Sequence, residues 1–161
     1  MTVAEYNSCV DKYSDGVYRF ILKNIKDEDN AKDVVQDAFV KMWNKRETIN
    51  FEKSRSYLFT TAYHTMIDYI RKDKKQTSLE NVNEDNYSVN TGFSDTKEII
   101  NEALEKLTDI QKSVILLRDY EGYSYKEIGE ITDLNESQVK VYIYRARIIL
   151  KNYIGNLEVV I

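Results

Sequence analysis

The sequence predicts an all-α protein: two small helical domains joined by a flexible acidic linker, the C-terminal one a helix-turn-helix. Three observations carry this. The 161 residues contain no proline and only 5 glycines, so little in the chain interrupts a helix. Apolar residues recur at spacings of three and four through most of the length, with few alternating runs. Between residues 76 and 95 that period lapses, in a stretch that holds Glu80, Glu84, Asp85 and Asp95 and no basic residue. This stretch divides a domain over 1–75 from one over 96–161.

Tyr6, Val10, Tyr13, Val17 and Phe20 form the stripe of a first helix, which the polar cluster Asp27-Glu28-Asp29-Asn30 is expected to end. Asn30 is then the expected cap of a second helix with Ala31, Val34, Val35, Ala38, Phe39 and Met42 inward. Its outer face carries Asp33, Gln36, Asp37, Val40 and Lys41, too mixed in charge for phosphate and suited to another protein's helices. An ordinary exposed helix is the plain alternative. A polar connection over 44–54 leads to a third helix with the stripe Leu58, Ala62, Thr65 or Met66, and Tyr69.

After the linker, Ile99, Ile100, Ala103, Leu104 and Leu107 begin a new amphipathic helix. Thr108 with Gln111 is a capping box, in which hydroxyl and side-chain carbonyl satisfy each other's backbone N–H groups. The helix it opens feeds Val114, Ile115, Leu116 and Leu117 to the core before Glu121-Gly122 ends it. Ser124 with Glu127 repeats the box, and Asn135 with Gln138 opens the last helix. Asp133, between them, stands where a left-handed residue is needed. Val139, Ile143, Ala146 and Leu150 give the last helix one packing stripe.

Charge sharpens the picture. The chain carries a formal net charge of −4, yet 137–154 holds Lys140, Arg145, Arg147 and Lys151 and no acid. A helix-turn-helix whose second helix is basic fits duplex DNA, early residues toward base edges and flanking cations toward phosphates. The alternative is a surface helix with solvated charges. In 41–75, nine basic residues stand against four acidic ones, with Phe51, Tyr57, Phe59, Tyr63 and Tyr69 among them. Rings beside cations suit unstacked bases, although core rings and a solvated helix end explain the same pattern.

Other classes have little support. One histidine, one cysteine and no glycine-rich phosphate loop leave no catalytic, metal or cofactor constellation. Cys9 cannot form an internal disulfide, and no apolar run approaches the length of a membrane span. The expectation is a cytoplasmic protein that is not an enzyme and does not insert in a membrane.

Three segments bear a family likeness: AKDVVQDAFVKMW (31–43), SYLFTTAYHTMIDYIRK (56–72), and LTDIQKSVILLRDYEGYSYKEIGEI (107–131) followed by SQVKVYIYRAR (137–147). In this order they resemble the extracytoplasmic-function (ECF) sigma factors of bacterial RNA polymerase. The resemblance implies a specificity subunit whose partners are core RNA polymerase, promoter DNA and an anti-sigma factor. It implies that Asp33, Gln36, Asp37, Val40 and Lys41 dock on the polymerase. It assigns the loop residues Phe51, Lys53, Ser54 and Arg55, with Tyr63, His64 and Arg71, to the melted minus-ten element. It assigns Ser137, Gln138, Lys140, Val141, Tyr144, Arg145 and Arg147 to the minus-thirty-five duplex. The chain departs from the family's frequent Trp at Tyr57, Asn at His64, and Thr, Ser and Arg at Gln138, Val141 and Tyr142, which leaves base preference its own. The rival reading is a dimeric helix-turn-helix regulator that binds operator half-sites about one helical turn apart.

Overall fold

The computed structural model describes the backbone of residues 1–80 and 95–160 and the side chains of 1–76 and 96–156, and among these every regular element is helical. Helix α1, Val3–Ile25, is opened by a Thr2–Glu5 capping box and closed by Lys26 in the left-handed conformation. That one residue turns the chain, so the polar cluster does not end α1 but begins α2, Glu28–Asn44. Asp27, not Asn30, is the cap: its carboxylate accepts from the Asn30 backbone N–H at 3.1 Å. Asp27 alone is extended enough to cap, and Glu28 and Asp29 then sit in the first turn, where negative charge meets the positive end of the helix.

Two short 3₁₀ turns, Arg46–Thr48 and Phe51–Lys53, lead into α3, Ser54–Glu80. Leu58, Ala62 and Met66 point inward as expected, joined by Phe59 and Tyr63, while Thr65 is only half-buried. The helix runs past residue 75 because KDKKQ, though without an apolar period, contains nothing that stops a helix. Most of the expected linker, residues 81–94, lies outside the described residues.

The second unit comprises α4 (Asp95–Leu104), α5 (Asp109–Ile115), α6 (Tyr125–Thr132) and α7 (Glu136–Val160). Of the expected α4 stripe, Ala103 and Leu104 are buried, with Leu107 just beyond the helix, but Ile100 is exposed. The other three capping boxes all form, and Asp133 adopts the left-handed conformation, φ 60° and ψ 42°. Gly129 is required by a close approach: a Cβ there would lie 2.6 Å from the Leu134 carbonyl oxygen. Beyond α5 the chain makes a π-helical turn, Leu116–Tyr120, in which the Glu121 N–H donates to the Leu116 carbonyl at 3.1 Å.

The two units share a seam. Helix α3 packs on α6 and α1 on α5, and one continuous apolar core runs from Phe20, Leu58 and Phe59 to Tyr123, Ile128 and Ile143. The buried Lys112 ammonium crosses it, donating to the Asn24 carbonyl at 3.3 Å and to the Glu105 carboxylate at 2.9 Å. Beside it the Ser113 hydroxyl donates to Asn24 Oδ1 at 2.9 Å.

Candidate nucleic-acid interface

On α2, residues 33, 36, 37, 40 and 41 fall on one side because helical period brings spacings of three and four together. All five are exposed, opposite the buried Ala31, Val34, Val35, Ala38, Phe39 and Met42. Val40 is 50% exposed, an apolar spot rimmed by charge. Lys41 bonds to Asp37 at 3.3 Å and donates to the Thr65 hydroxyl at 3.0 Å, fixing this stripe relative to α3.

The residues expected to meet a single strand divide into two groups. His64 is exposed and lines an open cleft of about 440 Å³ between α2 and α3, with Lys41, Asn44, Lys45, Tyr57, Thr60 and Asp68 among its walls. Lys53 and Arg71 are exposed as well. Ser54, by contrast, is buried and donates to the Phe51 carbonyl at 2.6 Å, so here it shapes the turn. Tyr63 is also buried, edge-on to His64, and burial together with the Asp109 carboxylate pushes its hydroxyl's pKa up.

The α7 face is open. Ser137, Gln138, Lys140, Val141, Tyr144, Arg145 and Arg147 are all exposed, and Tyr144 is the most prominent at 68%. Val139, Ile143 and Ala146 hold the opposite side in the core, which fixes the rotation of the helix. Three of the polar residues are already engaged. The Gln138 carbonyl accepts from the Asn135 N–H at 3.0 Å, Lys140 pairs with Glu136 at 3.8 Å, and Arg147 pairs with Asp119 at 2.9 Å. Arg145, Val141 and Tyr142 share a shallow depression with Asn135, Ser137 and Gln138.

Residues 9–76 match the family model for Sigma-70 region 2, and residues 97–150 match that for Sigma-70 region 4. Over 155 residues the chain is 31% identical to the RNA polymerase sigma factor YlaC of Bacillus subtilis (strain 168), covering 87% of this chain and 86% of that one. This chain belongs to the ECF sigma factors. It is a sigma factor that directs promoter-specific transcription, and not an enzyme. The sigma factor SigV of the same organism is 32% identical over 142 residues, covering 86% of this chain and 84% of that one. Among solved structures, the sigma factor RpoE in complex with the anti-sigma factor NepR from Bartonella quintana superposes with a TM-score of 0.82 at 22% identity, covering 95% of this chain and 98% of that one. That likeness establishes a common fold.

Within the sigma factor, the sequence gives no sign of what surrounds Arg55. Its guanidinium donates to the Glu121 carbonyl at 2.9 Å and reaches the Glu121 carboxylate at 3.5 Å. It also lies 4.4 Å from the Tyr123 ring centroid and 5.3 Å from that of Phe59. Arg19 of α1 grips the other carboxylate oxygen at 2.8 Å, and the Glu121 side chain is only 4% exposed. Tyr123 packs edge-on to Phe59 at 5.4 Å, and burial pushes its hydroxyl up to about 12. Glu121, Tyr123 and Arg19 are separated from Arg55 by 66, 68 and 36 positions, so no periodicity links them.

Proposed function

We propose that this sigma factor divides its work among three faces. The α2 stripe of Asp33, Gln36, Asp37, Val40 and Lys41 docks on core RNA polymerase. Phe51, Lys53 and Arg55, beside the turn that Ser54 holds, and His64 and Arg71 along α3 receive the melted non-template strand of the minus-ten element, with Tyr63 buried edge-on to His64 as its support. Ser137, Gln138, Lys140, Val141, Tyr144, Arg145 and Arg147 enter the minus-thirty-five duplex. The observation that carries the reading is the exposure of the whole α7 face, apolar and aromatic tips between cations, while the opposite stripe is locked in the core.

Elementary physics gives each face its task. Cations on α7 meet phosphates, and Val141 and Tyr144 are placed for base edges and thymine methyls. Around His64, rings and hydroxyls line a cleft that can take an unstacked base. A chain of net charge −4 grips DNA weakly alone, so polymerase docking supplies the local concentration that makes weak contacts sufficient. An anti-sigma factor that covers these faces is the expected regulator, and the cytoplasm, where polymerase works, the expected location. No described helix is long and apolar enough to cross a membrane.

The test is capture of purified core polymerase by the immobilised protein. Wild type retains the enzyme and Asp37→Arg loses at least about tenfold of that capture, because a repulsive charge enters the docking stripe. If Asp37→Arg captures polymerase as well as wild type does, the α2 assignment fails and the sigma factor docks through another face.

A further inference from the structure

We propose that the cleft between α1 and α4 is a binding site for a purine nucleotide, with Lys23 and Lys97 holding its phosphates, Tyr120 stacking on its base and Glu98 accepting a hydrogen bond from it. None of these residues belongs to the docking, minus-ten or minus-thirty-five faces, so the site stands apart from all three.

The cleft measures about 980 Å³, a size that takes a small organic molecule. Helix α1 lines it with Tyr18, Leu22 and Lys23, and α4 with Lys97, Glu98 and Asn101. Of its four cations, two are already engaged: Arg19 with Glu121 at 2.8 Å and Lys26 with Glu105 at 3.1 Å. Lys23 and Lys97 pair with no carboxylate among the described side chains. The Lys23 ammonium donates only to a neutral partner, Asn101 Oδ1, at 3.4 Å. Burial lowers its pKa, and the like charges of Lys97, Arg19 and Lys26 lower it further. An anion beside these lysines relieves that repulsion, and phosphate is an anion that lysine holds well as a point charge.

Other groups in the cleft select for more than phosphate. Tyr120, at the end of the π-helical turn, is 43% exposed, and its ring centroid lies 4.9 Å from Lys23 Nζ. A base stacked on that ring therefore sits next to a cation that holds the phosphates. Glu98 Oε1 is buried and finds no hydrogen-bond partner among the described residues. A carboxylate oxygen left without a donor is costly, and the exocyclic amino group of adenine or guanine supplies one. Glu28 and Glu102, the other acids that line the cleft, are exposed, so water and salt screen their repulsion of a phosphate. Glu102 also accepts from the Tyr153 hydroxyl at 3.0 Å.

The experiment is isothermal titration calorimetry of the full-length protein with ADP, GDP and inorganic pyrophosphate, each variant first checked by thermal melting. ADP or GDP should bind one to one with a Kd below about 1 mM, and pyrophosphate at least about fivefold more weakly, since it reaches neither Tyr120 nor Glu98. Lys23→Ala and Lys97→Glu should each weaken the nucleotide at least about tenfold. Lys97 is exposed, so its variant decides the matter if Lys23→Ala melts early. Tyr120→Ala should weaken the nucleotide at least about fivefold and pyrophosphate by less than about twofold. Glu98→Ala should weaken the nucleotide several-fold without weakening pyrophosphate, because it removes a contact to the base together with a negative charge. Lys72→Ala and Lys75→Ala, in the basic cluster at the end of α3, should change nothing. No saturable binding of either nucleotide up to about 1 mM overturns the proposal. So does a nucleotide that ignores the Lys23 and Lys97 variants but is lost from those of Lys72 and Lys75, which places it on the α3 cations instead. Pyrophosphate that binds as tightly as both nucleotides removes the base contacts, and the nucleotide site with them.

Discussion

At the scale of single residues, local chemistry was the most legible part of the chain. Ser124–Glu127, Thr108–Gln111 and Asn135–Gln138 close their reciprocal bonds as their spacing implies, because a capping box needs only four consecutive residues. Asn30 was misplaced because Asp27 lies three positions earlier with the same chemistry, and the left-handed Lys26 that decides between them has no side-chain signal. Gly129 shows the same limit. Only the fold reveals that the Leu134 carbonyl leaves no room for a Cβ, so Gly129→Ala should cost about 1–3 kcal/mol, read as a lower midpoint in denaturant melts.

Glu105 gives a residue-scale prediction in pH. Burial pushes its carboxyl up, but the Lys112 ammonium, and after it that of Lys26, bring it below the ordinary carboxylate range. With the folded value below the unfolded one, the stabilisation is complete above the unfolded value and disappears as pH falls through the folded one. Half-exposure at Glu105 keeps the effect small. Glu105→Gln should therefore melt a few degrees lower than wild type at neutral pH, and the two curves should converge in acid.

Elements tell a different story, because helix existence follows from periodicity while helix ends and rotations follow from packing. All seven α-helices among the described residues were visible in the sequence, and α7 was turned correctly because its stripe of Val139, Ile143 and Ala146 is unbroken. Ile100 was turned wrongly, since two adjacent isoleucines fit a stripe equally well and only the contact with α7 chooses between them. On the proposed α7 surface, Lys140 and Arg145 are the cations least tied by neighbours, whereas Arg147 is held by Asp119, which raises its pKa further. Lys140→Ala and Arg145→Ala should each weaken minus-thirty-five duplex binding by the holoenzyme. Each should also lower the slope of log affinity against log salt by about one. Unchanged slopes in both variants would remove α7 from the phosphate backbone.

For the whole molecule, family and fold class could be read in the sequence and the arrangement of its units could not. Motifs such as AKDVVQDAFVKMW and SQVKVYIYRAR are contiguous, so a linear reading finds them. The seam joins Asn24 to Lys112 and Ser113, and Arg19 and Arg55 to Glu121, residues whose pairing depends on how two finished helical units meet. The three proposed faces were likewise legible as faces. Ser54 and Tyr63 were not legible as buried, because a strand-contacting polar side chain and one that shapes a turn have the same composition.

The π-helical turn sets the angular phase of the seam. Because Glu121 bonds back five residues to Leu116 instead of four, the chain carries one residue more than an α-helix would over that span. Each residue of an α-helix is worth about 100° of rotation. Written in regular helical register, the same sequence would swing the carboxylate around the axis and aim it away from Arg19 and Arg55. A single inserted residue thus works as a dial, and a relative lacking it would carry the same two units without this fastening between them.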